Sequence, residues 1–157
     1  MNAIEGAFRD VHLGEGIGIF EAWAIDCCVS DKQRKMARAR DERVDWTKIT
    51  DSELEEHSSS LCFMDPDGIR FALPAYMRFA IGNFDRSASL SVDAAIYSLE
   101  HGWAASPRAA ESFTKEQLMV IAKFLRVMTI DVGNDWVDAT AASNAYELFW
   151  NEYDVAA

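Results

Sequence analysis

The chain has 157 residues, of which 26 are acidic and 15 are basic, so its formal net charge is −11. This charge disfavours binding to nucleic acid or to an anionic membrane surface, because like charges repel, and it favours a basic protein partner. Hydrophobic residues make up 50% of the chain. That fraction is enough for one buried core, and we expect a single globular domain over residues 1–157.

Segments that would direct the chain to a membrane or out of the cell are not predicted. No apolar run approaches the roughly 20 residues that cross a bilayer. The N-terminus, MNAIEGAFRD, carries acidic residues where a signal peptide would carry basic ones. The three cysteines include the adjacent pair Cys27 and Cys28, which do not suit a disulfide framework. We therefore expect a cytoplasmic protein.

Three patterns that could hold a metal or cofactor fail on their details. The cysteines and histidines lack the spacing of a metal site. The alternate glycines of LGEGIGIF resemble a phosphate loop, but no strand precedes them and no lysine with Ser or Thr follows. Asp65 and Asp67 resemble the start of a calcium loop, but Ile69 and Tyr76 stand where the loop needs oxygen ligands. We expect no metal and no cofactor.

The first part of the chain predicts two helices. Apolar residues recur at every fourth position from Ile19 to Cys27, as on one face of a helix. Ser30 and Gln33 then form a capping box for a charged helix that ends near Arg43. We favour a solvated face with internal ion pairs here over a nucleic-acid patch. Its basic residues are Lys32, Arg34, Lys35, Arg38, Arg40 and Arg43.

The middle of the chain predicts a short helix and a β-hairpin. Thr50 and Glu53 form a second capping box, which predicts a helix from about Asp51 to His57. In the following stretch, SSLCFMDPDGIRFALPAYM, apolar residues alternate on both sides of MDPDG, as in two half-buried strands. The proline and glycine of MDPDG suit the hairpin turn, and Pro74 would end the second strand and begin the next helix.

Several of these stretches together resemble a known family. The segments GIGIFEAWAID, DERVDW, DPDGIRFALPAYM and FTKEQLMVIAKFLRVM are similar to an uncharacterised bacterial family catalogued as a domain of unknown function. Its recurring core is the motif GxRFxLPAYM, and the resemblance covers roughly Gly14 to Met128. It implies no catalytic residues. Small acidic proteins of this kind often occur near secreted bacterial toxins, so the resemblance favours an immunity role.

The second half of the chain predicts three further helices. Ser91 caps the first, which Gly102 ends. Thr114 and Gln117 form a third capping box, which opens a central core helix. A last helix closes the domain. The sequence thus predicts a mainly α fold with a small β element (α+β): about six helices with one hairpin near residues 61–73. The predicted core includes Phe71, Leu118, Ile121 and Leu125.

The last 31 residues contain six carboxylates and neither lysine nor arginine. Spacings of four and three would place Asp131, Asp135 and Asp138 on one helix face, if the helix begins early enough. This stretch is either a solvated acidic surface or a docking face for a cationic partner, with aromatic anchors beside the charges. The predicted partner-binding residues are Asp131, Asp135, Asp138, Trp136, Trp150 and Tyr153.

No convergent catalytic group is evident. Cys62 and His57 could form a nucleophile pair only if a helix-to-strand junction brought them together. We expect no enzyme but a protein-binding domain, most simply an immunity protein that covers the active site of a cognate bacterial toxin. A small intracellular enzyme or a regulatory scaffold is the alternative function. The basic helix at residues 31–43 is the alternative interface, and it would face an acidic partner.

Overall fold

Helices form all the regular structure of the described chain, residues 2–154 of this computed structural model, and that range contains no strand. The α-helices are α1 (Asn2–Ala7), α2 (Ile19–Asp26), α3 (Asp31–Arg38), α4 (Asp51–Glu56), α5 (Pro66–Asn83), α6 (Ser91–His101), α7 (Pro107–Ala110), α8 (Lys115–Val127) and α9 (Ala139–Leu148). Short 3₁₀ helices lie at Trp46–Lys48, Ser60–Phe63, Trp103–Ala105 and Trp150–Tyr153, and a π-helical turn lies at Met128–Val132.

The mainly α prediction is confirmed, but the number of helices is larger than predicted. Nine α-helices lie within residues 2–154 where about six were expected. The difference includes α1 and α7, with six and four residues. Helices of this length show less than two full turns, so they leave no apolar periodicity in the sequence.

The predicted β-hairpin is wrong, because its second half belongs to α5. Asp65 is the N-cap of this 18-residue helix and accepts the N–H of Gly68 at 2.9 Å, while Pro66 occupies the first turn. Pro74 lies inside the helix rather than at its start. The apolar alternation wrongly predicted a strand because α5 is buried on most sides. An almost wholly apolar run fits a strand period and a helix period equally well.

All three predicted capping boxes are present, at the starts of α3, α4 and α8. In the box of α4, Thr50 Oγ1 accepts the N–H of Glu53 at 3.3 Å and Glu53 Oε2 accepts the N–H of Thr50 at 2.8 Å. Such caps stabilise a helix by about 1 kcal/mol each. The predicted end of α3 near Arg43 is wrong, since the helix ends at Arg38.

One hydrophobic cluster runs through the described chain from Ile4 to Trp150. Helix α5 contributes most to it and packs against α1, α4 and α6, while α9 packs against α6 and α8. The predicted core residues Phe71, Ile121 and Leu125 are buried, as is Leu118. The C-terminal acidic stretch therefore begins directly after a core helix, α8.

Candidate functional site

The acidic stretch after α8 follows a compact turn rather than one helix face. The π-helical turn Met128–Val132 continues α8, and Gly133, at φ 74°, then redirects the chain. The N–H groups of Trp136 and Val137 both donate to Gly133 O at 3.3 Å. The expectation that the three aspartates share one helix face is therefore wrong. They lie in the π-helical turn, in the turn after it and at the start of α9.

Trp136 is the exposed centre of this turn. Its side chain is 53% exposed, and its ring packs edge-on against Phe84 at the end of α5, with 6.4 Å between ring centroids. Ile130 is also exposed. Asp131 and Asp135 are exposed, and their carboxylates form no hydrogen bond or ion pair within residues 2–154. We call Ile130, Asp131, Asp135, Trp136 and Asp138 the acidic surface.

Asp138 belongs to the acidic surface and also stabilises the local structure. It is the N-cap of α9, where its Oδ1 accepts the N–H of Ala141 at 2.9 Å. Its Oδ2 accepts the hydroxyl of Tyr97 at 3.2 Å, and its own N–H donates to Asp93 Oδ1 at 2.9 Å. Burial raises the pKa of Asp93, the hydrogen bond from the Asp138 N–H opposes that rise, and the negative charge of Asp138 adds to it. This part of the surface is therefore fixed to α6.

Trp150 and Tyr153 lie in a separate aromatic cluster. Trp150 is 0% exposed, and its Nε1 donates to Leu99 O at 3.3 Å. Its ring lies 5.0 Å from that of Phe149 and 6.2 Å from that of half-buried Tyr153. The prediction that Trp150 offers its ring to a partner does not fit this position, because the ring is part of the core.

One of the other C-terminal carboxylates is neutralised within the chain. Asp154 pairs with Arg126 at 3.0 Å and accepts the hydroxyl of Tyr146 at 2.8 Å. Glu147 accepts the hydroxyl of Ser143 at 3.3 Å, which leaves its charge uncompensated. The exposed charge that is free for a partner therefore lies at Asp131 and Asp135, and farther along the chain at Glu147 and Glu152.

The glycine-rich segment before α2 meets the start of α5. Asp65 Oδ1 accepts the N–H groups of both Ile17 and Gly68, at 3.0 and 2.9 Å. A Cβ on Gly68 would overlap Ile17 O, and one on Gly18 would overlap the carboxyl of Asp41. These glycines permit close backbone approach, which is a structural reason for the GIGIF and DPDGIR stretches.

The basic residues of α3 form ion pairs with a buried carboxylate. Glu21 is buried, and it accepts Arg34 Nε at 3.0 Å and an N–H of Arg38 at 2.5 Å. Arg38 also donates to the carbonyl oxygens of Glu15 and Gly16, at 2.9 and 3.1 Å. Part of this basic helix therefore serves to hold the glycine-rich segment in place.

The residues considered for nucleophilic chemistry lie in different surroundings. The ring of His57 packs against the rings of Phe20 and Trp23, at 5.2 and 5.8 Å between centroids, and burial lowers its pKa. Cys62 is exposed, and it lines a groove with His101. No hydrogen bond joins Cys62 to His57 within the described residues. Across residues 2–154, no group of three or more Cys, His, Asp or Glu residues has a metal-binding arrangement.

Sequence reasoning missed Ile130 and Tyr97 as members of this region. Ile130 could have been found, because it falls outside the apolar stripe of α8 that Ile121, Leu125 and Met128 continue. Tyr97 could not, since its contact with Asp138 joins positions 41 residues apart.

Within the described range, none of the helices combines the length and apolar character that crossing a bilayer requires.

Comparison with known proteins identifies a family but no characterised relative. No curated protein and no solved structure matches the chain. The model of a family described as "Family of unknown function (DUF6714)" matches residues 1–154, nearly the whole sequence. The chain therefore belongs to this family of unknown function.

Proposed function

We propose that the chain is a non-catalytic protein-binding domain whose acidic surface docks on a cationic protein. The observation that carries this proposal is the exposure of Trp136 in the same turn region as Asp131 and Asp135, whose carboxylates have no hydrogen-bond or ion-pair partner within residues 2–154. Exposed tryptophans are frequent anchors of protein interfaces, and unpaired carboxylates near them steer a cationic surface into contact.

The more specific form of the proposal is an immunity protein that works in the cytoplasm by covering the active site of a bacterial toxin. Its support is the family resemblance together with the charge of the acidic surface. Carboxylates at such an interface would occupy the place of an anionic substrate, while Trp136 supplies buried contact area. A regulatory scaffold would use the same surface without a toxin as its partner.

The interface can be located by photo-crosslinking in the cells that produce the protein. One variant carries p-benzoylphenylalanine in place of Trp136, and a control carries it in place of Met36, which is at least as exposed but lies on α3. We expect a crosslink to a basic protein from position 136 and none to that protein from position 36. Crosslinking from position 36 alone would move the interface to the basic helix and make the partner surface acidic.

The immunity role has its own test once the crosslinked protein is purified. Production of that protein alone should stop the growth of the host, and the wild-type chain should restore growth. The variant D131N/D135N/W136A should restore growth much less, while D10N/E111Q, which changes two exposed carboxylates elsewhere, should act like the wild type. A binding partner with no effect on growth would leave the binding function and exclude the immunity role.

A further inference from the structure

A groove of about 440 Å³ lies between the 3₁₀ helix Ser60–Phe63, the start of α5 and the C-terminal half of α6. Its volume falls within the range of about 300–1,000 Å³ that is typical of sites for small organic ligands. The walls are mainly apolar, from Leu61, Met64, Ile69 and Trp103. The groove is thus large and apolar enough for a ligand with a hydrocarbon or aromatic body.

Tyr97 forms the polar edge of the groove. The residue is 40% exposed, and its hydroxyl donates to Asp138 Oδ2 at 3.2 Å. Burial raises the pKa of Tyr97, and the negative charges of Asp93, Asp138 and Glu100 add to that rise. The carboxylates do not line the groove themselves, but two of them contact residues that do: Asp138 contacts the Tyr97 hydroxyl, and Glu100 contacts His101.

This negative charge is poorly neutralised by the chain itself. The residues that line the groove include neither lysine nor arginine. Among residues 2–154, no lysine or arginine forms an ion pair with Asp93, Glu100 or Asp138. Glu100 contacts His101 Nε2 at 2.9 Å, and this histidine is positive only when protonated. The groove edge therefore attracts cations when this histidine is neutral.

Aromatic rings on the groove strengthen the same preference. Tyr97 and Trp103 both line it, and the face of an aromatic ring attracts a cation, most strongly when water is excluded. An anionic ligand would meet the carboxylates without a compensating cation, and a neutral ligand would gain only the apolar contact. Charge and shape together select one class of ligand.

We propose that this groove binds a small organic cation with an apolar or aromatic body, such as an alkylated or aryl ammonium. The apolar part lies against Leu61, Met64 and Ile69, and the ammonium group lies at the Tyr97 edge. This inference goes beyond the binding of a protein partner and does not depend on it, because the test uses the chain with a small ligand alone.

The test compares three ligands of nearly equal shape that differ in charge. These are benzyltrimethylammonium, benzyldimethylamine N-oxide, which has no net charge, and the anionic benzylsulfonate, each titrated into the ¹⁵N-labelled protein at about pH 8 and followed by NMR. We expect the cation to bind with a dissociation constant on the order of 1 mM, as ligands of this size do. The neutral N-oxide should bind at least about fivefold more weakly, and benzylsulfonate should not bind. The shifts should concentrate at Tyr97, Ser98 and the Trp103 indole.

Variants distinguish binding in the groove from non-specific attraction of the cation to an acidic protein. Cys62→Trp should block the groove and abolish binding, because Cys62 is an exposed lining residue, and circular dichroism checks that the fold is kept. E100Q/D138N should weaken binding of the cation alone, since asparagine can still cap α9. The control D10N/E111Q removes the same charge elsewhere and should bind like the wild type. Equal affinity for the neutral ligand, or unchanged binding by Cys62→Trp in its native fold, would overturn the proposal.

Discussion

Asp41 accepts the backbone N–H of Phe20 through its Oδ1 at 2.8 Å. It thereby caps helix α2 from the segment that follows α3 in the chain. Helix α2 needs this bond because its own N-cap is Gly18, which has no side chain to offer. Asp41 Oδ2 is buried and has no hydrogen-bond partner within residues 2–154. Burial raises the pKa of Asp41 to about 6.

This raised pKa predicts a specific dependence of stability on pH. The folded pKa lies above the unfolded value of 3.8, so the folded state binds the proton more tightly. Ionisation of buried Asp41 lowers the free energy of unfolding. This loss is absent below about pH 4 and complete above about pH 6. Between pH 7 and pH 5, wild type should therefore gain on the order of 1–2 kcal/mol relative to Asp41→Asn. Urea unfolding of both proteins at each pH measures the difference.

The comparison with Asp41→Asn removes the contributions of other groups. His57 has a lowered pKa, so its contribution to stability is lost as the pH falls through its unfolded value of 6.5 and then its folded pKa. That loss is common to both proteins and cancels in the difference. Parallel stability curves from pH 5 to pH 7 would show that Asp41 is not a perturbed group.

The close approach of the glycine-rich segment to Asp41 predicts an effect at Gly18. Gly18→Ala should lower the free energy of unfolding by roughly 1–3 kcal/mol, since the added methyl group overlaps the Asp41 carboxyl. Gly82→Ala is the matched control, because a Cβ there has no atom within 4 Å. It lies inside α5 and should be neutral or stabilise by up to about 1 kcal/mol. Similar losses in both variants would contradict the close contact.

Two tryptophans of the C-terminal segment should differ in their contribution to stability. Trp150→Ala should cost about 3–5 kcal/mol, because it leaves a large cavity and removes the hydrogen bond to Leu99 O. Trp136→Ala should cost less than about 1 kcal/mol, since half of that side chain is in water. Chemical denaturation of the two variants makes the comparison. A cost at Trp136 equal to that at Trp150 would place Trp136 in the core and remove it from the acidic surface.

Local signals in the sequence predicted a helix start where a full capping box is present and failed elsewhere. Ser91 was predicted to cap a helix, but it lies in the first turn of α6, and its hydroxyl donates to Leu54 O. The capping boxes were found because each is complete within four residues. The wrong hairpin arose where Asp65 and Pro66 suit a turn and a helix start alike, and where the apolar run of α5, which is buried on most sides, fits both a strand period and a helix period. Two hydrogen bonds join distant parts of the chain, between Phe20 and Asp41 and between Tyr97 and Asp138. No local sequence pattern predicts them.

The candidate surface in the C-terminal stretch was proposed from composition, and its role as an interface stays a prediction. The exposure of Asp131, Asp135 and Trp136 comes from the structure, because the spacing argument for a shared helix face was wrong. The error at Trp150 has a physical origin, because an apolar ring beside acidic residues fits both an interface and a core edge. Only the packing of Trp150 against α6 separates the two.

The most direct test of the central claim is the association rate of the chain with the protein captured at position 136, measured by surface plasmon resonance. D131N/D135N should associate several-fold more slowly than D10N/E111Q at about 50 mM salt, and the two should converge at about 500 mM, where exposed charges are screened. Trp136→Ala should mainly raise the dissociation rate. Equal association rates for the two double variants at low salt would contradict an interface at the acidic surface.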